Sequence, residues 1–213
     1  MKKEMEIKPE KIAGQWPGEL SMFSWKELVT AIPTPMFVVT GWKSNGKENA
    51  CLQSWATFVS DSGEFICILG WVSKGGHMYH SLKETGCCVL NFPSSDIYEK
   101  CHSTISNNQF EADEIMASGL TAEKAVAVNA PRIAECFLNI ECEFLWEQQN
   151  FTNSGNTVVA LKAVHISMDS DHYDHNKLGR YGKTGYIYNA NAPRNPDSGE
   201  AEQFSFGTIE KNM

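Results

Sequence analysis

A short glycine-rich segment, Ser73-Lys74-Gly75-Gly76-His77, combines residue types that could bind an anion. It lies between an apolar run that predicts a buried strand and a stretch that predicts a helix. Helix N-termini expose backbone N–H groups and a partial positive charge, and glycines let a ligand approach the backbone closely. Ser73 adds a hydroxyl group and Lys74 adds a full positive charge. The segment therefore suits a terminal phosphate, and a plain glycine-rich turn before a helix explains the pattern equally well.

The second candidate is the extended stretch from Asn49 to Trp55, which carries amide, hydroxyl and aromatic side chains. Its candidate ligand-binding residues are Asn49, Gln53, Ser54 and Trp55. An edge of an extended strand can hydrogen-bond a planar heterocycle through its backbone groups. The alternative is that Trp55 belongs to the core, where most strand tryptophans are found.

Other motifs are weaker. Gly41 to Lys47 matches the G-x-x-x-x-G-K spacing, but an acidic residue follows where a phosphate-binding loop needs Ser or Thr, and the flanks predict a hairpin. His77 and His80 would share one helix face, with no third metal ligand evident nearby. His172 and His175 lie among aspartates, which favours a solvated acidic loop over a cation site. We predict no metal site and no catalytic acid, base or nucleophile.

The elements that would position these segments are mainly strands joined by hairpins. Asn45-Gly46 is a strong hairpin signal, Ser24 fits the N-cap of a short helix, and Gly86 fits the C-terminal cap of another. Hairpin spacing without β-α alternation favours a mainly β, antiparallel barrel with helical insertions over a doubly wound sheet. The predicted strands cover 36–42, 49–60, 65–69, 87–92, 137–146 and 157–168, and the longer predicted helices cover 77–85 and 95–128.

Length and composition restrict the class of protein. The 213 residues suffice for one well-buried domain, and we expect a single domain with an N-terminal arm over 1–23 and a wrapping tail over 170–213. The formal net charge of −8 disfavours nucleic acid as a partner. No stretch approaches the ~20 apolar residues that cross a bilayer, and no apolar signal region is present. We therefore expect a cytoplasmic protein without membrane contact, whose seven cysteines are free thiols.

Four stretches in order along the chain resemble one family, the flavin reductase-like FMN-binding split barrels, which includes the flavoredoxins. Pro33 to Thr40 resembles the family's opening P-x-P strand, and Asn45 to Trp55 resembles its DGKPNAMTxxW hairpin. Gly119 to Thr121 resembles its aGLT turn, and Ala130 to Cys142 its APRIxECxxxxEC strand. The resemblance spans about residues 24–190. It implies an antiparallel split barrel that forms a homodimer and binds FMN near the subunit interface.

The resemblance also implies roles for individual residues. One group would contact the flavin ring or its ribityl chain, a second would face the phosphate, and a third would approach the flavin from the C-terminal segment. These groups are Asn49, Gln53, Ser54 and Trp55; Ser73, Lys74, Gly75 and His77; and Arg180 with Tyr181.

On this basis we expect an FMN-binding oxidoreductase of the flavin reductase-like type. It would pass electrons from NAD(P)H or a protein donor through bound flavin to another flavin, to iron or to a partner protein, with the redox chemistry carried by the cofactor. Two alternatives stay open. One is a flavoredoxin-type electron carrier without NAD(P)H activity, and the other is a non-flavin module on the same barrel that binds haem or another small molecule.

Overall fold

The structure is a computed structural model that describes residues 2–149, 151–152 and 154–211. The helices are α1 (Glu19–Met22), α2 (Trp25–Thr30), α3 (His77–Thr85), α4 (Tyr98–Ser103), α5 (Glu114–Ala117) and α6 (Ser170–Tyr173). The strands are β1 (Thr34–Pro35), β2 (Phe37–Trp42), β3 (Glu48–Gln53), β4 (Ala56–Asp61), β5 (Glu64–Ser73), β6 (Cys87–Phe92), β7 (Ala122–Lys124), β8 (Pro131–Ile133), β9 (Leu138–Gln149), β10 (Asn156–Met168), β11 (Ile187–Asn191) and β12 (Ser205–Thr208).

The chain divides into two compact units. The smaller unit comprises residues 1–34 and 188–207, and the larger comprises 35–187 and 208–213. The expected single domain with its arm and tail stays a prediction. None of the described helices is long and apolar enough to span a membrane.

Seven strands of the larger unit form one sheet in the order β3-β2-β6-β9-β10-β5-β4, and each neighbouring pair is antiparallel. Apolar side chains from β2, β5, β6, β9 and β10 meet in a single buried cluster, against which α3 packs. Because strands across the sheet contribute to one cluster, the sheet must curve around it. β3 and β4 are its edge strands, so their outer backbone groups pair with no further strand of this sheet.

Glycine signals positioned several elements as predicted. The β2–β3 hairpin turns at Gly46, whose φ is +79°, so the Gly41 to Lys47 match lies in a hairpin and not before a helix. Helix α3 covers the predicted range, and Gly86 follows it with a φ of +69°. Both glycines adopt left-handed backbone angles that other residues rarely reach.

Two predicted ranges were wrong in part. Residues 95–128 were expected to be helical, but helix occurs only in a short 3₁₀ turn and in α4 and α5, and the range ends in β7 and a loop. Tertiary hydrogen bonds explain this. Lys43 Nζ donates hydrogen bonds to the carbonyls of Gln109 and Ala112. The buried Glu141 carboxylate accepts hydrogen bonds from the N–H groups of residues 126–128. These bonds replace the regular i to i−4 pattern of a helix.

The stretch 49–60 was expected to be one extended segment, and the structure breaks it between β3 and β4. The break falls at Ser54 and Trp55, where the Ala56 N–H donates to the Ser54 carbonyl at 2.6 Å. β5 is longer than predicted and extends to Ser73. The break turns the chain from one edge of the sheet to the other. The expected turn at 153–156 includes Asn153, which lies outside the described residues.

In the smaller unit, α2 begins at the predicted N-cap, where the Ser24 hydroxyl accepts the Lys26 N–H at 3.2 Å. A buried ion pair ties the two segments of this unit together. Arg194 Nη2 donates to both carboxylate oxygens of Glu19, at 2.8 and 2.9 Å, and Arg194 Nη1 donates to the Ala13 carbonyl at 2.6 Å. Strands β1, β11 and β12 form a three-stranded sheet, most of which belongs to this unit.

Candidate functional site

The larger unit contains a cleft of about 280 Å³ at the edge of the sheet, here called the β3 cleft. Residues 49–53 of β3 form its floor, and Trp55 and Trp71 lie at one side. The start of α3 closes one end, and residues 104, 105 and 108 with Glu114 line the rest. The cleft therefore brings together the two segments that the sequence singled out, although about 20 residues separate them along the chain.

The outer edge of β3 carries a row of backbone N–H groups that do not pair with β2. The Glu48 N–H donates to Asp113 Oδ1 at 3.1 Å, and the Ala50 N–H donates to Glu114 Oε2 at 2.8 Å. Alternate residues of an antiparallel edge strand point their N–H groups the same way, so the Leu52 N–H also points outward. Leu52 lines the β3 cleft. The strand thus offers a ligand one backbone donor beyond the two that carboxylates already occupy.

Two tryptophans form the aromatic side of the cleft. The ring centroids of Trp55 and Trp71 lie 5.9 Å apart, with 53° between the ring planes. The Gly70 N–H donates to the Trp55 carbonyl at 2.7 Å, and a Cβ at position 70 would lie 3.3 Å from that oxygen. Glycine at position 70 therefore permits the close approach that holds Trp55 beside Trp71. Both residues are half-buried, so part of each is exposed to solvent.

The N-terminus of α3 forms the end of the cleft. Asn49, in the amide orientation that gives both of its polar atoms a partner, accepts the Met78 N–H at 3.2 Å and donates to Glu114 Oε2 at 3.0 Å. The tight turn before the helix is closed by the Gly76 N–H, which donates to the Ser73 carbonyl at 3.0 Å. Asn49 therefore caps a helix amide and links the helix to β3.

A buried glutamate, Glu114, lies next to the N-terminus of α3 in the cleft. Glu114 is fully buried, and its Oε1 lies 3.1 Å from Lys43 Nζ and 3.2 Å from His77 Nδ1. Lys43 is 4% exposed, and its ammonium group also donates to two backbone carbonyls, at 2.9 and 2.5 Å. The His77 side chain is 30% exposed and lines the cleft. Lys43 and Glu114 neutralise each other, so the imidazole of His77 is the basic side chain among the described residues that line the cleft.

The environment shifts the pKa of several nearby groups. The Lys47 ammonium, which hydrogen-bonds Asp113 at 2.9 Å, lowers the pKa of that carboxyl group. Burial raises the pKa of Glu48, and the neighbouring Asp113 raises it further. Burial also raises the pKa of the Cys51 thiol, opposed by a hydrogen bond from Gln53. Cys51 is therefore a neutral thiol at physiological pH.

Five predicted site residues line the β3 cleft: Asn49, Gln53, Trp55, Ser73 and His77. The other five, Ser54, Lys74, Gly75, Arg180 and Tyr181, are not among the described residues that line it. Ser54 is buried beside it, and the Lys74 N–H donates to the Gly155 carbonyl at 2.9 Å. Gly75 is exposed in the turn. The roles expected for all ten residues stay predictions.

Arg180 and Tyr181 lie in the C-terminal segment of the larger unit. Arg180 Nη1 donates to the Tyr173 carbonyl at 3.2 Å. The Tyr181 ring packs edge-on against Tyr186, with centroids 6.2 Å apart, and Lys211 Nζ lies 5.0 Å from its centroid. Both side chains thus have partners within their own segment.

Sequence reasoning missed Lys43, Glu114 and Trp71. Lys43 falls inside the G-x-x-x-x-G-K match that was assigned to a hairpin, and the hairpin is correct. The signal that could have found Lys43 is its position directly after the apolar strand β2, where a charged side chain needs a buried partner. Its partner lies 71 residues away, so no local spacing identifies Glu114. Within the described residues, no group of three or more His, Cys, Asp or Glu side chains is arranged to hold a metal ion.

Comparisons with known proteins extend these observations. The flavin reductase like domain family matches residues 29–187. A relative from Methanothermobacter thermautotrophicus, whose function is not assigned, is 24% identical over 145 residues, which are 67% of each chain. The solved structure of flavoredoxin from Desulfovibrio vulgaris (Miyazaki F) has a TM-score of 0.68 at 17% identity, over 85% of this chain and 89% of that one.

A split barrel domain protein from Shewanella frigidimarina NCIMB 400 has a TM-score of 0.69 at 14% identity, over 94% of this chain and 97% of that one. At such identities the likeness establishes the fold. The predicted fold class, a mainly β antiparallel split barrel with helical insertions, is confirmed. The seven-stranded sheet ends at β3 and β4, which do not pair with each other, so it is not closed, as expected of a split barrel.

Proposed function

The chain belongs to the flavin reductase-like family, which gives it a flavin-related oxidoreductase activity, and we propose that it works as an FMN-binding oxidoreductase. Electrons pass from NAD(P)H or a protein donor through the bound flavin to an acceptor, which is another flavin, iron or a partner protein. The flavin supplies the hydride and electron chemistry when it is bound, and the protein supplies position and electrostatics.

One observation carries this proposal. The β3 cleft combines a strand edge with a cleft-facing Leu52 N–H, an aromatic side and a helix N-terminus within one concave surface. A strand edge and aromatic rings suit a planar heterocycle. A helix N-terminus with a histidine suits a phosphate. FMN has both parts, and β3 presents Asn49 and Gln53 along the same cleft.

The residues of the cleft divide naturally between these parts. Gln53 and Trp55 lie at the end of β3 and would hold the ring system, with the Leu52 N–H as a donor to its polar edge. Ser73 and His77 flank the turn that precedes α3 and would hold the phosphate. Half-buried tryptophans on one side would exclude water from one face of the ring system. No side chain of this cleft is needed as an acid, base or nucleophile for that role.

The same proposal includes a homodimer with the flavin near the subunit interface. At about 280 Å³ the β3 cleft lies just below the range of roughly 300–1,000 Å³ that encloses cofactors and drug-sized ligands, so a second surface would complete it. Large apolar side chains are exposed on the long β9–β10 hairpin: Leu145 is 42%, Trp146 45%, Val164 39% and Ile166 54% exposed. Exposed apolar groups of this size are typical of an interaction surface.

Absorption spectroscopy tests the cofactor. The protein as purified, or after addition of FMN and removal of free ligand, should show the visible absorption bands of a bound flavin, at one flavin per chain. Anaerobic addition of NADH or NADPH should then bleach these bands within seconds. A protein that retains no flavin after reconstitution contradicts the proposal, and haem absorbance in its place would support the non-flavin alternative.

The rate of bleaching separates the two flavin-dependent alternatives. Fast bleaching by NADH or NADPH identifies a reductase. Slow or absent bleaching by both, with rapid reduction by a protein donor, identifies a flavoredoxin-type carrier. The similarity in fold to the flavoredoxin of Desulfovibrio vulgaris supports this second outcome.

Sedimentation velocity tests the dimer. The wild-type protein should sediment at twice the chain mass of 23.8 kDa. Trp146→Glu should shift it towards the monomer, because a charge cannot be buried in an apolar interface without a partner. Glu202→Gln, at an exposed position of the smaller unit, is the matched control and should leave the dimer intact. A monomeric wild-type protein that binds FMN fully would contradict the interface.

A further inference from the structure

The hydrogen bonds of Lys43 show that its buried side chain is a charged ammonium group. Nζ donates to the Gln109 carbonyl at 2.9 Å, to the Ala112 carbonyl at 2.5 Å and to Glu114 Oε1 at 3.1 Å. Three acceptors require three N–H donors, which only the ammonium form provides. The side chain is 1% exposed. The interior therefore contains a full positive charge directly beside the β3 cleft.

Glu114 supplies the opposite charge. Its Oε2 accepts the Ala50 N–H at 2.8 Å and the Asn49 amide at 3.0 Å, and its Oε1 faces Lys43 and His77 Nδ1. A carboxyl group that receives donors on both oxygens is an ionised acceptor. Glu114 lines the cleft, whereas Lys43 is not among the described residues that line it. A ligand therefore meets the negative member of the pair first.

The edge of β3 gives the distance from this pair to a bound ligand. Glu114 Oε2 occupies the Ala50 N–H, and the next outward donor is the Leu52 N–H. These two donors lie about 7 Å apart, because each residue of an antiparallel strand rises about 3.4 Å. A ligand atom that accepts the Leu52 N–H is thus about 7 Å from the carboxylate. At an effective dielectric constant of about 20, one unit charge at that distance changes an equilibrium constant by more than tenfold.

We propose that the buried pair of Lys43 and Glu114 sets the reduction potential of the flavin by keeping this part of the cleft electrically neutral. The inference rests on the proposed FMN-binding function and deepens it. Reduction by a hydride donor transfers two electrons and one proton to the flavin, so the reduced form carries one negative charge more than the oxidised form. An uncompensated carboxylate would disfavour the reduced form, and an uncompensated ammonium would favour it. Both side chains act through their charge, without transferring a proton.

Reduction potentials of the FMN-loaded protein, measured anaerobically against a reference dye, test the inference. Glu114→Gln leaves the ammonium uncompensated and should raise the potential by about 30 mV, which equals a tenfold gain in affinity for reduced over oxidised FMN. Lys43→Met leaves the carboxylate uncompensated and should lower the potential by a similar amount. The double variant has neither charge and should return close to the wild-type potential. A merely structural defect would not produce shifts of opposite sign.

Asp113→Asn is the matched control for loss of a carboxylate at the same strand edge. Asp113 accepts the Glu48 N–H and pairs with Lys47 at 2.9 Å. This pair is partly exposed, and Glu48 lies four residues from Leu52, or about 14 Å along the strand. Water screens a charge at that distance, so the ratio of the two FMN affinities should change by less than about twofold.

Two further variants separate charge from packing. Glu114→Asp keeps the negative charge and should keep the wild-type potential, although a shorter side chain weakens the hydrogen bonds to β3. Because Glu114 also contacts His77, the series is repeated in a His77→Gln background, where a change in the charge of the imidazole cannot produce the shift. The opposite signs should persist in that background.

Dissociation constants for oxidised and reduced FMN supply a second readout, because their ratio must change by the same factor as the potential requires. The inference is overturned if the two single variants shift the potential in the same direction, or if neither shift exceeds that of Asp113→Asn. When one single variant does not fold, the other decides, since the sign of each shift is predicted separately. A wild-type protein that binds no FMN would contradict the proposed function itself, whereas unmoved potentials in FMN-loaded variants would contradict this inference alone.

Discussion

The buried pair of Lys43 and Glu114 provides a test of how the site is held together. Each side chain is about 1% exposed, and the Glu114 carboxylate accepts four hydrogen bonds, from Lys43, His77, Ala50 and Asn49. Glu114→Gln keeps the shape and removes the charge, so the Lys43 ammonium stays buried without its counter-charge. Removing one partner of a buried ion pair typically costs about 3–5 kcal/mol. We expect the free energy of unfolding to fall by that amount.

Urea denaturation of a double-mutant cycle measures the effect. Lys43→Met leaves Glu114 with three donors and should cost somewhat less than Glu114→Gln. The double variant should lose less stability than the two single losses added together, because neither charge is then buried alone. Glu111→Gln, at an exposed carboxylate of the same segment, is the control and should change stability by less than about 0.5 kcal/mol. A loss below about 1 kcal/mol for Glu114→Gln would refute the reasoning.

Three other predictions follow from single contacts. Leu52→Pro removes the cleft-facing N–H without breaking the β2–β3 ladder, so it should weaken FMN binding about fivefold in a fluorescence titration, whereas Leu52→Ala, which keeps the N–H, should not. Burial raises the pKa of Cys67 to about 12, so a thiol reagent at pH 8 should leave Cys67 unmodified in the native protein. The half-buried Cys51 should react slowly with the same reagent, and bound FMN should protect it. Glu19→Ala leaves the buried Arg194 without its carboxylate partner, so amide hydrogen exchange in the smaller unit should become faster. Unchanged exchange rates in that unit would contradict this prediction.

Elements bounded by glycine were predictable from sequence to the residue. α3 and β6 occupy the predicted ranges because Gly76 precedes the helix and Gly86 ends it, and the strand follows at once. The same holds for the hairpin at Gly46. In each case the conformation depends on the backbone freedom of one residue, which is visible in the sequence without knowledge of any distant contact.

The region 95–128 was not predictable in this way, because its backbone is held by side chains from elsewhere in the chain. Lys43 donates hydrogen bonds to two carbonyls of this region, and Glu141 accepts hydrogen bonds from three of its N–H groups. Polar composition and the scattered apolar residues suggested a helix, but those long-range hydrogen bonds hold the backbone in a largely non-helical conformation. Tertiary contacts of this kind override local propensity.

The candidate site was predictable to the extent that it is local. The turn before α3 and the strand β3 each carry their own signal, and the structure brings them together at the β3 cleft. Arg180 and Tyr181 were assigned by resemblance, and their contacts lie in the C-terminal segment. Glu114 joins β3 to α3 through partners 37 to 71 positions away, a relation that only the folded chain shows.

The charges at the cleft differ from those that the sequence suggested for binding an anion to this acidic protein. The chain has a formal net charge of −8, and the sequence suggested Lys74 as the local compensation. In the structure, Lys74 does not line the cleft, and the nearest buried cation, Lys43, is already neutralised by Glu114. At this end of the cleft, the groups that would face an anion are therefore the N-terminal amides of α3 and the imidazole of His77.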